Sequence, residues 1–384
     1  MRFKLALLLV LLVQGFFSAT HMLAGGQDVR QLLDQVGIKP KGDQRGLMDI
    51  VGYASTAEQM DKVLSQCRNL ASAEGEARQG WRERIQDKAL VAGVCPHDDY
   101  YYSARLYSLL LSNVRANRVI LFGVFHKARV FNCKDQLVFD SYRTWHGPYA
   151  PVAVSPLRER IIERLPSEDY IVNNEMQMVE HSVEGIVSFL QALNRDVEIV
   201  SILVPYMNWH TLDRLAANLT RAIASIVQEE GWQLGRDVCL ISSADAVHYG
   251  DAGWGGYNFA PFGTDVMGYQ MAVKRDLELA EKYLCGPIDH KKLKGLMYSC
   301  VDSTDVTEYL ITWCGRFAVP FGLNVASRLT KALEGRVLEG LLLDYGTSVS
   351  EVSLDVSNLN GMGPTAPNNF HHFVGYAAIG YWQD

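Results

Sequence analysis

The chain has 384 residues, of which 48% are hydrophobic, and its 36 Lys and Arg against 43 Asp and Glu give a formal net charge of -7. This length and composition exclude an intrinsically disordered chain and suffice for one large α/β domain or two smaller ones. The acidic balance, with no dense run of Lys and Arg in the sequence, argues against a nucleic-acid partner.

The first 24 residues have the pattern of a secretory signal peptide. Two positive charges precede an apolar stretch over residues 5–17, which is short for a membrane span. Neither Ser18-Ala19 nor Leu23-Ala24 is an ideal cleavage site, so an uncleaved N-terminal anchor is the alternative. Either way we expect an exported protein, periplasmic, secreted or anchored outside the cytoplasm, with no other membrane contact.

The rest of the chain is predicted as a polar lead-in over residues 25–50 and a single α/β domain over residues 51–384. In that domain short apolar runs alternate with amphipathic segments, the pattern of a mostly parallel central sheet flanked by helices. In chain order we expect a helix capped by Thr56 and Gln59, strand 90–94, helix 104–114, strand 118–123, helix 175–193, strand 197–204, helix 212–228, strand 238–241, helices 265–284, 287–299, 304–313 and 319–333, and strands 338–345 and 373–382. Residues 74–88 are predicted as charged surface and residues 253–257 as a loop over the site.

Three of the predicted strands are followed by a histidine: His97, His126 and His248. Ligand sites of parallel sheets form beyond the carboxyl ends of the strands, and neighbouring strands lie only about 4.8 Å apart. Imidazole is the commonest metal-binding side chain and the commonest proton shuttle. The pattern therefore predicts one shared site, although each histidine alone is equally consistent with a structural, hydrogen-bonded role.

Other side chains are candidates for the same site. Asp245 lies three residues before His248 and is expected to orient it, the alternative being an Asp that caps a turn. His181 and Glu184 lie one turn apart on the predicted helix 175–193, where a solvated helix face is the alternative.

The seven cysteines show no paired spacing of the zinc-ribbon type, and a chain of this size does not depend on a disulfide scaffold. Cys239 is expected to be a small buried hydrophobe within its strand. Cys314 differs, because the following Gly315 and Arg316 favour a thiolate. That thiolate would be a soft metal ligand or a nucleophile; an inert buried cysteine is the alternative. The remaining histidines are treated as structural or surface residues: His146, His210, His290, His371 and His372.

Six short motifs follow one another between residue 52 and the C-terminus. They are Pro96-His97-Asp98-Asp99-Tyr100, Gly123 to His126, Tyr142-Arg143-Thr144, Glu180 to Glu184, Ser242 to His248, and Cys314-Gly315-Arg316. In this order they resemble the motifs of the Memo family, which includes protein B of the AmmeMemoRadiSam system and whose fold is related to class III extradiol dioxygenases.

The resemblance implies a mononuclear metal site, with iron or copper as the usual metal and zinc also possible, held by His97, His126 and Cys314. It places His248 where the related dioxygenases have their acid/base histidine, with Asp245 beside it. We expect a pocket lined by His181, Glu184, Asp98, Asp99 and Arg316. Here Asp98 and Asp99 replace the family's Ala-Gly, Ala244 adds a residue before the Asp, and Arg316 is not followed by His-Pro.

Three functions are consistent with this reading. The first is a non-haem iron-dependent redox or dioxygenase-like enzyme acting on a phenolic or otherwise polar small molecule, with His248 moving the proton. The second is a non-catalytic copper or iron binding protein, or a peptide-docking protein, because a thiolate in place of a carboxylate favours softer ions such as Cu(I) or zinc. The third is metal-assisted hydrolysis, with Asp245 or His248 activating a water.

Overall fold

The computed structural model describes residues 28–73, 85, 88–251, 259–350, 353–356 and 358–383. Three predicted segments lie outside these residues: the signal peptide, most of the charged segment 74–88 and the loop 253–257. No helix in the described part of the chain is both long and apolar enough to cross a membrane.

The described residues contain one mixed sheet and the helices that cover it. The strands are β1 (Gln44–Arg45), β2 (Leu90–Cys95), β3 (Arg118–Val124), β4 (Leu137–Phe139), β5 (Thr144–Trp145), β6 (Val152–Val154), β7 (Tyr170–Val172), β8 (Glu198–Val204), β9 (Val238–Ser243), β10 (His248–Gly250), β11 (Gly286–Pro287), β12 (Leu338–Thr347) and β13 (His372–Gln383). The helices are α1 (Val29–Asp34), α2 (Ala57–Ala73), α3 (Tyr100–Leu111), α4 (Leu157–Ile162), α5 (Asn174–Met178), α6 (Glu184–Leu193), α7 (Trp209–Glu230), α8 (Val266–Leu284), α9 (His290–Cys300) and α10 (Ala318–Glu334), with 3-10 turns at Ser167–Asp169 and Cys314–Arg316.

The centre of the sheet is parallel, as predicted. Strands β6, β8, β3, β9 and β2 lie side by side in that order and all run in one direction. Every residue of β2 and of β9 is buried, which is typical of parallel strands covered on both faces. The long strands β13 and β12 then extend the sheet beyond β2 in the antiparallel sense.

Successive residues of the central strands point into two different cores. Ile120 and Phe122 of β3 contact the core that contains residues of helices α7 to α10, whereas Val119 and Leu121 contact the core formed with α2, α3 and α6. This alternation is the two-residue period of a strand with a hydrophobic layer on each side. The prediction of an α/β fold with helices on both faces is therefore confirmed.

The predicted helix 175–193 is wrong in one respect, because residues 179–183 interrupt it between α5 and α6. Backbone carbonyls that would continue the helix bond to a guanidinium instead: Arg45 Nη2 donates to the carbonyls of Gln177, at 2.7 Å, and Glu180, at 2.5 Å. The proposed shared helix face of His181 and Glu184 is wrong for the same reason, since His181 lies in the interruption.

The predicted helix 304–313 does not form. Asp302 Oδ1 accepts hydrogen bonds from the backbone N–H groups of Thr304 and Asp305, and Asp305 Oδ1 accepts one from Thr307. Such local side-chain bonds compete with helical bonding, so two successive turns replace the helix. By contrast, the cap predicted for α2 is confirmed, because Thr56 and Gln59 bond to each other's backbone N–H groups.

Candidate metal centre

The carboxyl ends of three adjacent strands bring the predicted histidines together. His97 follows β2, His126 follows β3 and His248 opens β10 shortly after β9, and these strands are neighbours in the order β3, β9, β2. The ring centroids of His97 and His126 are 5.1 Å apart, and the His181 ring stacks on that of His126 at 5.0 Å. The strand-end argument therefore located the cluster correctly.

Cys314 joins this cluster from a distant part of the chain. Its Sγ lies 3.3 Å from Nε2 of His126 and 3.1 Å from Nε2 of His248. On the other side of the cluster, His97 Nε2 lies 3.3 Å from Asp245 Oδ2. Nitrogen, sulfur and carboxylate oxygen atoms thus face one another in a small space.

Two sets of donor atoms in the described residues have all members within 4.8 Å of one another. One set is His97, His126 and His181, and the other is His97, Asp245 and Cys314. The predicted ligands are divided between the two sets: His126 belongs to the first, Cys314 to the second and His97 to both. The contact between His126 and Cys314 links the two sets, so the geometry offers more than one way to complete a coordination sphere.

Hydrogen bonds fix which nitrogen of each ring is available. Ser243 Oγ donates its proton to the carbonyl of Ser182, so it accepts at 2.7 Å from Nδ1 of His97. Nδ1 of His126 donates to the Glu180 carboxylate at 2.9 Å. Both rings therefore carry a proton on Nδ1 and turn Nε2 toward the cluster, an arrangement found around protein metal sites.

The electrostatics also keep two of the rings in the metal-binding form. Burial lowers the pKa of His97 well below its usual value, and the neighbouring imidazoles lower it further. Burial lowers the pKa of His248 well below its usual value too, and nearby positive charge, including Arg316, adds to this effect. Both rings are neutral near pH 7, as a metal ligand must be.

His126 behaves differently because it faces two acidic groups. Burial disfavours its charged form, but the Glu180 carboxylate and the Cys314 sulfur together raise its pKa well above the usual value. Burial likewise acts to raise the pKa of Glu180, yet the contact with His126 lowers it to about 2. The raised pKa favours a second proton on the His126 ring, at the Nε2 that faces the Cys314 sulfur, and a metal cation is a chemically suitable replacement for that proton.

A carboxyl group adjoins the other side of the cluster. Burial raises the pKa of Asp245 to about 7, although the backbone N–H groups of His97 and Asp98 stabilise its ionised form. Asp98 is half-buried next to it and accepts a hydrogen bond from the hydroxyl of Tyr376. Asp245 Oδ2 is also 3.9 Å from Nε2 of His248, so this carboxyl lies between two imidazoles.

Two residues predicted to line the pocket have other contacts. Asp99 accepts hydrogen bonds from the backbone N–H groups of Thr365 and Ala366, and so fastens a C-terminal loop to the start of α3. Glu184 is buried in an ion pair with Arg45 and also accepts from the backbone N–H of Met48. Both carboxylates stabilise the walls around the site.

Sequence reasoning missed three residues that shape the centre. Glu180 was part of a motif but was given no role, and Arg45 lies in the segment predicted as an irregular lead-in. The Arg45 side chain is fully buried over the Trp145 ring at 4.0 Å, and it holds the interruption that carries Glu180. An arginine in a polar segment gives no local signal of such a role.

Asp276 of α8 is the third missed residue. Its carboxylate accepts from Trp313 Nε1 at 2.6 Å, from the backbone N–H of Val247 at 3.1 Å, and from the Tyr345 hydroxyl at 2.8 Å. Val247 and Trp313 also pair as an antiparallel bridge. Since Val247 and Trp313 directly precede His248 and Cys314, Asp276 fixes the distance between the His248 imidazole and the Cys314 sulfur.

Comparison with known proteins gives consistent matches over most of the chain. A family model described as "Memo-like protein" matches residues 51–361, a range that contains all the motifs discussed above. A MEMO1 family protein of Pyrococcus horikoshii is 26% identical over 267 residues, which cover 68% of this chain and 81% of that protein. A MEMO1 family protein of Pyrococcus furiosus is 25% identical over 288 residues, which cover 73% of this chain and 87% of that protein.

Proposed function

Because this chain belongs to the Memo-like protein family, we propose that it binds one iron or copper ion through His97, His126 and Cys314 and uses it in an oxidoreductase reaction. The observation that carries the proposal is the orientation of the two rings, whose Nδ1 atoms are engaged by protein groups while both Nε2 atoms face the cluster. Once a metal replaces the proton between His126 and Cys314, two imidazole nitrogens and a thiolate form a suitable ligand set for a first-row transition metal.

In this proposal the chain positions the ligands and handles the proton. The bound ion would supply electron transfer at a centre with free coordination positions. His248, neutral and in contact with the sulfur and with Asp245, accepts or donates a proton at Nε2. The pKa of Asp245, about 7, suits a group that exchanges a proton near neutral pH.

A second candidate is a copper-binding protein without turnover. It is favoured by the position of Cys314, whose sulfur has imidazole nitrogens at 3.3 Å and 3.1 Å on two sides. Soft thiolate ligands with imidazole select Cu(I). Reconstitution separates the two functions: oxygen consumption by the iron-loaded protein with a panel of phenols supports the enzyme, and tight Cu(I) binding without consumption supports the binding protein.

The metal site itself is tested by elemental analysis of the purified protein. We expect about one metal ion per chain in the wild type and its loss in His97→Ala, because removing a ligand nitrogen opens the site. The matched control is His210→Ala, which removes an exposed imidazole from α7. Equal metal content in all three proteins would contradict the proposal.

We also propose that the chain is exported, as its first 24 residues predict. N-terminal sequencing of the protein recovered from the source cells tests this. A mature chain beginning between residues 19 and 25 is the expected result, and an uncleaved chain in the cytoplasmic fraction would contradict it.

A further inference from the structure

A small cavity of about 110 Å³ opens beside the sulfur of the candidate metal centre. Its wall includes His126 and Cys314, two arginines, Arg129 and Arg316, and the ring of Tyr309. None of the described residues in this wall is acidic, and several are apolar, among them Phe125 and Phe317. The described wall of the cavity therefore combines positive charge with hydrophobic surface.

Arg316 has no acidic partner among the described residues, although it is held firmly in place. Its Nη1 donates to the carbonyl of Trp313 at 2.6 Å, and its guanidinium stacks over the Tyr309 ring at 3.8 Å. Its Nε is buried and has no hydrogen-bond partner. A buried donor without a partner costs about 1–3 kcal/mol, so an acceptor that enters the cavity would remove that penalty.

Two further features add positive potential at the same place. The guanidinium of Arg129 lies 5.3 Å from the centroid of the Tyr309 ring, the ring on which Arg316 also stacks. Its Nη2 donates a hydrogen bond to the carbonyl of Thr307. The first residue of α10, Ala318, also belongs to the wall, and no side chain caps this end of the helix in the described residues. A helix N-terminus favours an anion nearby.

We propose that this cavity binds a small carboxylate through Arg316. Nη1 is used by Trp313 and Nε has no partner, so a carboxylate that reaches the edge formed by Nε and Nη2 would match its two oxygens to two parallel N–H groups. The volume is well below the roughly 300–1,000 Å³ typical of sites for drug-sized ligands, which points to a short acid with an apolar body.

This carboxylate would be the substrate of the reaction, an assignment that rests on the proposed function. Arg316 lies two residues after Cys314 in the same 3-10 turn. A carboxylate held by Arg316 would therefore place the rest of the molecule against the sulfur and His126. Arg316 acts as a binding residue that orients the substrate at the centre.

Benzoate is the probe, with benzamide as its uncharged analogue, and isothermal titration calorimetry of the full chain is the measurement. We expect benzoate to bind the wild type at least tenfold more tightly than benzamide, a result that needs no variant. Arg316→Met should weaken benzoate binding at least tenfold, and Arg129→Met should weaken it less. The matched control Arg115→Met, which changes an exposed arginine at the opposite end of β3, should bind benzoate as the wild type does.

Equal affinity of Arg316→Met and the wild type for benzoate would overturn the proposal, as would failure of formate, acetate and benzoate all to bind the wild type. The result is separable from the metal site, because His97→Ala should keep its affinity for benzoate. Benzoate binding without metal would leave only the carboxylate site standing. Metal binding without benzoate binding would leave only the metal site.

Discussion

The two imidazoles that follow β2 and β3 are fixed in a different way from the sulfur and the imidazole of His248. His97 and His126 leave the ends of buried parallel strands, and each donates its backbone N–H to a buried carboxylate, Asp245 at 2.9 Å and Glu180 at 2.7 Å. His248 opens the short strand β10 and Cys314 opens a 3-10 turn, and a short bridge and the Asp276 carboxylate hold these two segments, the loop half of the centre, together.

One half of the centre is therefore fixed by local strand geometry and the other by a long-range contact. Strand ends converge because the sheet aligns them, whatever the rest of the chain does. The loop half depends on a carboxylate from a helix that carries no other residue of the centre. Substitutions in each half should therefore have distinguishable effects, and the predictions below test that distinction.

The largest effect on stability is expected from Arg45, which supports the strand half. Arg45→Met should lower the free energy of unfolding by about 3–5 kcal/mol, because it leaves the buried Glu184 carboxylate without its partner. Chemical denaturation measures this. Arg143→Met is the control, since the Arg143 and Asp43 side chains are 83% and 71% exposed. A change below 1 kcal/mol in Arg45→Met would show that the ion pair is dispensable.

The second prediction concerns pH and the loop half. Burial raises the pKa of Asp276 from 3.8 to about 6, so the folded protein binds this proton more tightly than the unfolded chain does. The resulting stabilisation is fully present below pH 3.8 and is lost as the pH rises through 6. Relative to Asp276→Asn, the wild type should lose about 2 kcal/mol of unfolding free energy between pH 4 and pH 7. Parallel pH profiles of the two proteins would argue against a buried, titrating carboxyl at this position.

Next in size is the effect of Glu180, which orients the His126 ring. Glu180→Gln should weaken metal binding about 10- to 100-fold, because an amide holds the Nδ1 proton less strongly than a carboxylate. Competition with a chelator measures the affinity. Glu175→Gln on the exposed side of α5 is the control and should bind metal as the wild type does. An unchanged affinity in Glu180→Gln would mean that the ring is oriented without this contact.

The smallest effect is expected from Gly375→Ala, which tests whether Asp276 only stabilises the loop half or also positions the Cys314 sulfur. A Cβ at this position would lie 2.6 Å from Asp276 Oδ2 and 2.4 Å from the Tyr345 hydroxyl. We expect a cost of about 1–3 kcal/mol from this overpacking, together with a shifted sulfur-to-metal absorption band in the cobalt-substituted protein. Gly363→Ala, where a Cβ meets nothing within 4 Å, is the control. A destabilised variant with an unshifted band would show that Asp276 does not position the sulfur.

The positions of His97, His126 and His248 at strand ends could be predicted from the sequence, whereas the contact that fixes Cys314 beside His248 could not. The apolar runs that end before His97 and His126 predict buried parallel strands, and a parallel sheet brings the ends of its strands together. The link between Asp276 and Trp313 spans 37 residues and leaves no periodic or compositional trace. The proximity of Cys314 to the histidines was accessible only through the resemblance of motifs.

The two wrong helices have a related cause. Residues 179–183 have a helical apolar period, but the Glu180 carbonyl bonds to Arg45, which is 135 residues away along the chain. Over 304–313 the competing bonds were local, and the spacing of Asp302 and Asp305 from the following threonines could have indicated turns. Distant partners and local side-chain turns both override a period that is read from hydrophobicity alone.

The interruption at residues 179–183 has a consequence for which ions the protein can accept. The Ser182 carbonyl in this interruption accepts a hydrogen bond from Ser243, which in turn holds the His97 ring. The Glu180 carboxylate in the same interruption holds the His126 ring. One short stretch of backbone thus sets the gap between the two nitrogens, and neither ring can adjust that gap alone. A metal ion bound as proposed would therefore be selected by its radius as well as by its ligand preference.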